Sequence, residues 1–195
     1  MSVIAQIEDA MINRLRTTLQ ATGYKVDVDS YAGQLEDDRG VRRLPAVWLY
    51  FEGGGEPKPV GTSRQKWLIP LTWSILIATQ NLRGEREART GLVAGTRNEL
   101  GSYQLQSDVR RSLINQDFGL PIDQMRPGKT KALSVGKQDG GISVYSLQCH
   151  TKYVEIMPEA AANASDPDWL RTGLNYFLQP DDGKVDASDL VTLNP

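Results

Sequence analysis

The chain has 195 residues, 39% of them hydrophobic and 24% charged, which is the composition of a globular domain and not of a disordered or fibrous chain. One cysteine and one histidine exclude an intrachain disulfide and a Cys/His zinc site. The net charge of −2 is too small to announce a nucleic-acid binder, which would carry a strongly basic face.

The longest apolar run, LIPLTWSILIA at 68–78, contains a proline and is too short to span a bilayer. The opening MSVIAQIEDAMINRLR has acids inside its apolar pattern, unlike a signal peptide, so an intracellular chain is expected. Charge is unevenly spread. Residues 1–157 hold 20 Lys/Arg against 17 Asp/Glu, and residues 158–195 hold two against seven. This shift predicts a domain over 1–157 and a C-terminal extension over 158–195.

In chain order, SVIAQIEDAMINRLRTTLQATG reads as a helix. Ser2 is its N-cap, Gly23 its stop, and Ile4, Ile7, Met11, Leu15 and Leu19 recur at helical steps. YKVDVDSY (24–31) alternates as a half-buried strand and is followed by a polar loop. PAVWLYF (45–51) is a β-rich run, and EGGGEPKP after it reads as a loop. KWLIPLTWSILIATQN (66–81) alternates over its whole length, with Trp67, Ile69, Leu71, Trp73, Ile75 and Ile77 on one face. Pro70 donates no hydrogen bond and so calls for an edge position or a bulge.

NLRGEREARTGLVAGTRNE (81–99) is a charged, glycine-punctuated connection. GSYQLQSDVRRSLINQ (101–116) is helical, with Leu105, Val109 and Leu113 on one side. KTKALSV (129–135) and GISVYSLQCHTKYVEIM (141–157) then form a hairpin. The expected domain is α+β, a mostly antiparallel sheet of about five strands flanked by two helices. In the extension, DPDWLRTGLNYFL (166–178) is predicted as a short helix capped by Asp166, before an acidic tail.

Four stretches invite a chemical reading. Cys149 and His150 are neighbours, but successive strand residues point to opposite faces, so a catalytic pair cannot form without a bulge. RPGKTK (126–131) lacks the upstream glycine of a phosphate loop, having Asp123 there, and leads into a strand; a basic turn is the expectation. DDGKVDASD (181–189) fails the glycine and glutamate positions of a calcium loop and reads as a solvated tail. Arg83, Arg86, Arg89 and Arg97 are interleaved with Glu85, Glu87 and Glu99. A salt-bridged loop, a contact surface between subunits and a nucleic-acid arm are the three readings. No catalytic, cofactor or metal residues are assigned, and a non-enzyme whose surfaces matter is expected.

LIATQNLRGEREARTG (76–91), SDVRRSLINQDFGLPIDQMRPG (107–128) and YSLQCHTKYVEI, followed by DWLRTGLNYFLQPDDGKVDASDLVTL, together resemble the Mu-like phage and prophage tail proteins assigned as tail terminators. The resemblance covers essentially the whole chain and has no invariant chemical signature. It implies a small α+β subunit that assembles into a homohexameric ring in the virion, at the head-proximal end of the tail. Such a ring caps the tail tube, halts its polymerisation and meets the head-side connector and, in contractile tails, the sheath. DNA would be passing cargo only, and no cofactor is implied.

Candidate subunit or partner contacts are Arg83, Arg86, Arg89 and Arg97, with Trp169, Tyr176 and Phe177 of the extension. The alternatives are another ring-forming neck or head-completion protein, an enzyme or nucleotide-binding protein, and a nucleic-acid binder.

Overall fold

The computed structural model describes residues 2–35, 43–62, 65–81, 85–94, 97–133, 142–157, 171–177 and 183–192. By internal packing the chain divides into two compact units, Met1–Met157 and Pro158–Pro195. The first contains, in order, α1 (Val3–Ala21), β1 (Asp27–Ser30), β2 (Ala46–Gly54), β3 (Lys58–Pro59), β4 (Lys66–Gln80), α2 (Glu85–Thr90), β5 (Leu92–Ala94), β6 (Arg97–Glu99), α3 (Ser102–Leu113), β7 (Arg126–Leu133) and β8 (Ile142–Ile156). One sheet has the order β1-β2-β4-β8-β7, with β3 added to β4. Only β1 and β2 run parallel, so the α+β, mostly antiparallel expectation holds. The sheet has six strands and not five, and β5 and β6 form a separate small ribbon.

Helix α1 starts where the Ser2 hydroxyl accepts the Ile4 N–H at 3.3 Å. It stops where Gly23 turns left-handed (φ +81°) and donates to the Gln20 carbonyl at 3.0 Å. Its buried stripe of Ile7, Met11, Leu15 and Leu19 lies with Leu105, Val109 and Leu113 of α3 on one sheet face. Val47, Leu49, Leu71, Trp73, Ile75, Ile77, Leu147 and Cys149 meet them there. Each large aliphatic side chain buried in this layer contributes about 1.5–3 kcal/mol. Polar ties set the helices' positions. Arg16 donates to the Val28 carbonyl at 3.0 and 2.8 Å, and the Thr18 and Ser112 hydroxyls are 2.8 Å apart.

Three sequence expectations need correction within this unit. EGGGEPKP is not all loop. β2 runs on to Gly54 through a register shift between Phe51 and Gly53, and Lys58–Pro59 pairs with Leu68 and Trp67. The backbone of a glycine-rich segment can join a ladder that its side chains do not advertise. The connection at 81–99 is not irregular throughout, since it holds α2 and the β5–β6 ribbon. RPGKTK is not a turn, because β7 begins at Arg126.

Pro70 lies in a central strand and not at an edge. It is accommodated because its neighbour changes there. β2 ends opposite Leu71, β3 begins opposite Leu68, and between them the Pro70 carbonyl accepts the Gly55 N–H at 2.9 Å. The missing proline donor therefore falls in a break between two partner strands.

The second unit contains β9 (Arg171–Tyr176) and β10 (Ala187–Thr192), an antiparallel pair. The predicted helix over 166–178 is thus overturned for residues 171–176. Thr172, Gly173, Asn175 and Tyr176 are all poor helix formers, and ASDLVT supplies a backbone partner. The proposed cap, Asp166 with Pro167, lies outside the described residues, as do Leu170 and Leu178.

Candidate interaction surfaces

Cys149 and His150 do not meet. Cys149 is fully buried on the helix-covered face, opposite Trp73. His150 is half-buried on the other face, where Nδ1 lies 3.1 Å from the Thr72 hydroxyl. Burial pushes the Cys149 thiol up to about 12, a rise that the charge of Arg110 only partly offsets. At neutral pH this is a protonated, inaccessible thiol, the opposite of an activated nucleophile. Among the described residues no group of three or more His, Cys, Asp or Glu is placed to share a metal ion. Nor is any helix long and apolar enough to cross a membrane.

The sheet face turned away from α1 and α3 carries a polar ladder. Across it the Ser74 and Ser146 hydroxyls bond each other on a diagonal, Thr72 meets His150 in one rung, and Gln148, opposite Ser74, donates to the Glu52 carboxylate at 2.8 and 3.1 Å. Toward one end the face is apolar, with Trp48, Leu76, Ala78 and Val144 covered in part by Tyr31, Leu35 and Leu44. Toward the other it opens into a cleft of about 180 Å³ lined by Pro70, Asp123, Arg126, His150, Thr151 and Lys152. Asp123 is shared there by Lys152 at 3.2 Å and Arg126 at 3.7 Å.

Two further features leave backbone or apolar surface open. β4 and β8 pair through fifteen rungs, from Lys66 opposite Ile156 to Gln80 opposite Ile142. β2 pairs with β4 only as far as Leu71, and β7 pairs with β8 only from Leu133 opposite Val144 to Arg126 opposite His150. The rungs Lys66–Pro70 with Lys152–Ile156 therefore run past both neighbours. They are flanked by β3 and by a single bridge between Ile122 and Tyr153. Val154 and Ile156 are exposed there, Ile156 by 69%, as is Met157 just beyond. The second feature is the outer edge of β7, with which no strand pairs among the described residues. It carries Arg126, Lys129 and Lys131, and all but one of its eight residues are exposed.

The contacts predicted from sequence do not form one patch in the described structure. Arg86 and Arg89 share α2, Arg86 exposed and Arg89 half-buried near Tyr145. Burial first, and then the neighbouring Tyr103, raises the Tyr145 phenol, while Arg89 lowers it. Arg97 begins β6, and its side chain, like Arg83 and Trp169, lies outside what is described. Tyr176 and Phe177 are exposed in the second unit, with Leu174, Leu190 and Val191. The acidic segment is not simply a solvated tail. Asp186 donates its N–H to the Tyr176 carbonyl, and Asp189 lies in β10.

Sequence reasoning reaches the projecting end of β4–β8 but misses the open edge of β7. Strand length was a usable signal for the first. Edge status was not readable, because it depends on which distant strand is absent.

No curated protein matches the chain. The sequence does match the family described as "Bacteriophage Mu, Gp37" over residues 3–154, most of its length and nearly the whole of the first unit. The chain belongs to the bacteriophage Mu Gp37 family and is a phage structural protein of the Mu-like type.

Proposed function

We propose that the chain is a tail terminator without enzymatic activity. Its copies form a six-membered ring that caps the tail tube at the head-proximal end of the virion tail, stops tube polymerisation and joins the tail to the head-side connector. In a contractile tail the same ring meets the last sheath ring. The observation that carries this reading is the β4–β8 ladder. Fifteen residues per strand is well beyond the roughly five or six of an ordinary strand. Within the extra rungs only Ile69 and Tyr153 still pack against the helix-covered core, and the ladder ends in exposed Val154, Ile156 and Met157. Apolar strand ends held out from the core are suited to packing on a neighbouring protein. The family membership supports a virion component.

Electron microscopy of the purified full chain, alone and mixed with tail tubes, tests this reading. Rings seated at one end of each tube, with tube growth halted, are expected. A protein that stays dispersed and has no affinity for tubes, or rings that bind only portal-side proteins, would overturn it.

A further inference from the structure

The described strands of the second unit bury little apolar surface. Its described residues are a two-stranded ribbon whose six β10 residues are all exposed, as are Leu174, Tyr176 and Phe177 on the β9 side. An isolated two-stranded hairpin is marginal in water, and a third strand with apolar contact is the usual remedy. The first unit has the complementary deficiency, an eight-residue edge strand, β7, whose outer side has no paired strand among the described residues. Pro127 blunts the start of that edge, so the usable run is Gly128–Leu133.

Charge identifies what the edge accepts. β7 carries Arg126, Lys129 and Lys131, and Arg110 lies beside it, donating to the Thr130 hydroxyl at 2.6 Å. Neither Lys129 nor Lys131 has an ion-pair partner among the described residues. Lysines on an edge discourage indiscriminate strand pairing, but they favour an acidic strand. β10 is such a strand. It contains Asp189, follows Asp186, and belongs to a segment with seven acidic residues against two basic ones. Its Leu190 and Val191 are exposed, and Leu133 at the end of β7 is exposed as well.

We propose that β10 of one copy adds to the edge of β7 of the next, extending its sheet across the subunit boundary. The two surfaces differ, so the contact is heterologous, and repeating it around an axis closes a ring. Main-chain hydrogen bonds supply the attachment, and the lysine–aspartate pairing selects the acidic strand. The inference rests on the ring reading proposed above and adds the element that joins the subunits.

The test uses two full-length variants, Lys129→Glu/Lys131→Glu and Asp189→Lys, all at exposed positions. Their thermal midpoints should match the unaltered protein. Each alone opposes like charges across the contact and is expected to raise the concentration for half-assembly about tenfold. Mixed in equal amounts, the two should assemble again, because alternating copies oppose unlike charges at every boundary: native Asp189 against native Lys129 and Lys131 at one, and the two substituted sets against each other at the next. Recovery only when all three substitutions are in the same chain would mean that β10 folds back on its own β7, and would overturn the exchange between copies. Rings unaffected by either variant would overturn the inference and leave the proposed function standing. An unaltered protein that neither forms rings nor seats on tubes would overturn that function, and the inference with it. Should a variant misfold, amide exchange on the unaltered protein decides instead. The amides of residues 129–133 should exchange more slowly in the ring than in the diluted subunit, and equal exchange would overturn the inference.

Discussion

Cys149 and Trp73 face each other across β8 and β4 inside the helix-covered layer, one rung from the pair in which His150 meets Thr72 on the open face. The two rarest residues of the chain are thus separated by the thickness of the sheet. Because burial raises the thiol from 9.0 to about 12, its favourable contribution is complete below pH 9 and is lost as the pH rises toward 12. Within that window stability should fall by up to about 1.4 kcal/mol per pH unit from this group alone. Burial also raises Tyr145 and Tyr153, which adds to the alkaline loss. Urea melts between pH 8 and 11 should show the decline. Cys149→Ala should cost about 1 kcal/mol at pH 7 and make the decline shallower. The native thiol should resist alkylation at pH 8 until the protein unfolds, and rapid labelling of the folded chain would contradict the buried placement.

Gly101 opens α3 at the point where the chain touches the end of α2. A Cβ there would overlap the Gly91 amide nitrogen and the Arg89 carbonyl oxygen, both backbone atoms that cannot rotate away. Gly101→Ala should therefore destabilise the first unit by roughly 1–3 kcal/mol. Gly128 offers a control. A Cβ at that position meets the His150 ring, which can turn aside, and the Gln148 Cβ, which moves only with its strand, but no backbone atom. Gly128→Ala should cost less, and the paired variant Gly128→Ala/His150→Ala should recover part of the loss. Thermal melts of the three proteins measure the order, and equal costs at Gly101 and Gly128 would refute the distinction.

How much of this could be read beforehand depended on the range of the interactions. α1 and α3 were legible because Ile7, Met11, Leu15 and Leu19, and Leu105, Val109 and Leu113, mark a helical face with residues close in sequence. β4 and β8 were legible from alternation over fifteen residues each. β9 was misread because Leu174 and Phe177 have helical spacing, while its actual partner, β10, begins eleven residues after Tyr176 and has no strong strand signal of its own. Pro70 was read correctly as a defect in pairing, but the defect lies in the adjoining strands and not in β4's position. For the surfaces, Arg86 and Arg89 were visible by composition. Strand length already marked a free outer end on β4 and β8, but the Lys129–Lys131 edge, and which residues are exposed at the Val154–Ile156 end, emerge only from register, since exposure there follows from where β2 and β7 stop.

That stopping point separates assembly from folding. Val154 and Ile156 project from rungs that neither β2 nor β7 reaches, and both are exposed, so the core loses little if they become polar. Val154→Ser/Ile156→Ser should shift stability by only about 0.5 kcal/mol. If this end packs on the tail tube, each apolar side chain that becomes buried there is worth about 1–2 kcal/mol, and the pair should weaken tube seating by at least about tenfold. Co-sedimentation of the variant with tubes, beside the unaltered protein, gives the comparison, while thermal melting verifies the fold. A second measurement assigns the face. Loss of seating with rings intact places the tube contact at this end of β4–β8, whereas loss of rings places a subunit boundary there. Unchanged rings and unchanged seating would remove the ladder as support for a tube-capping role.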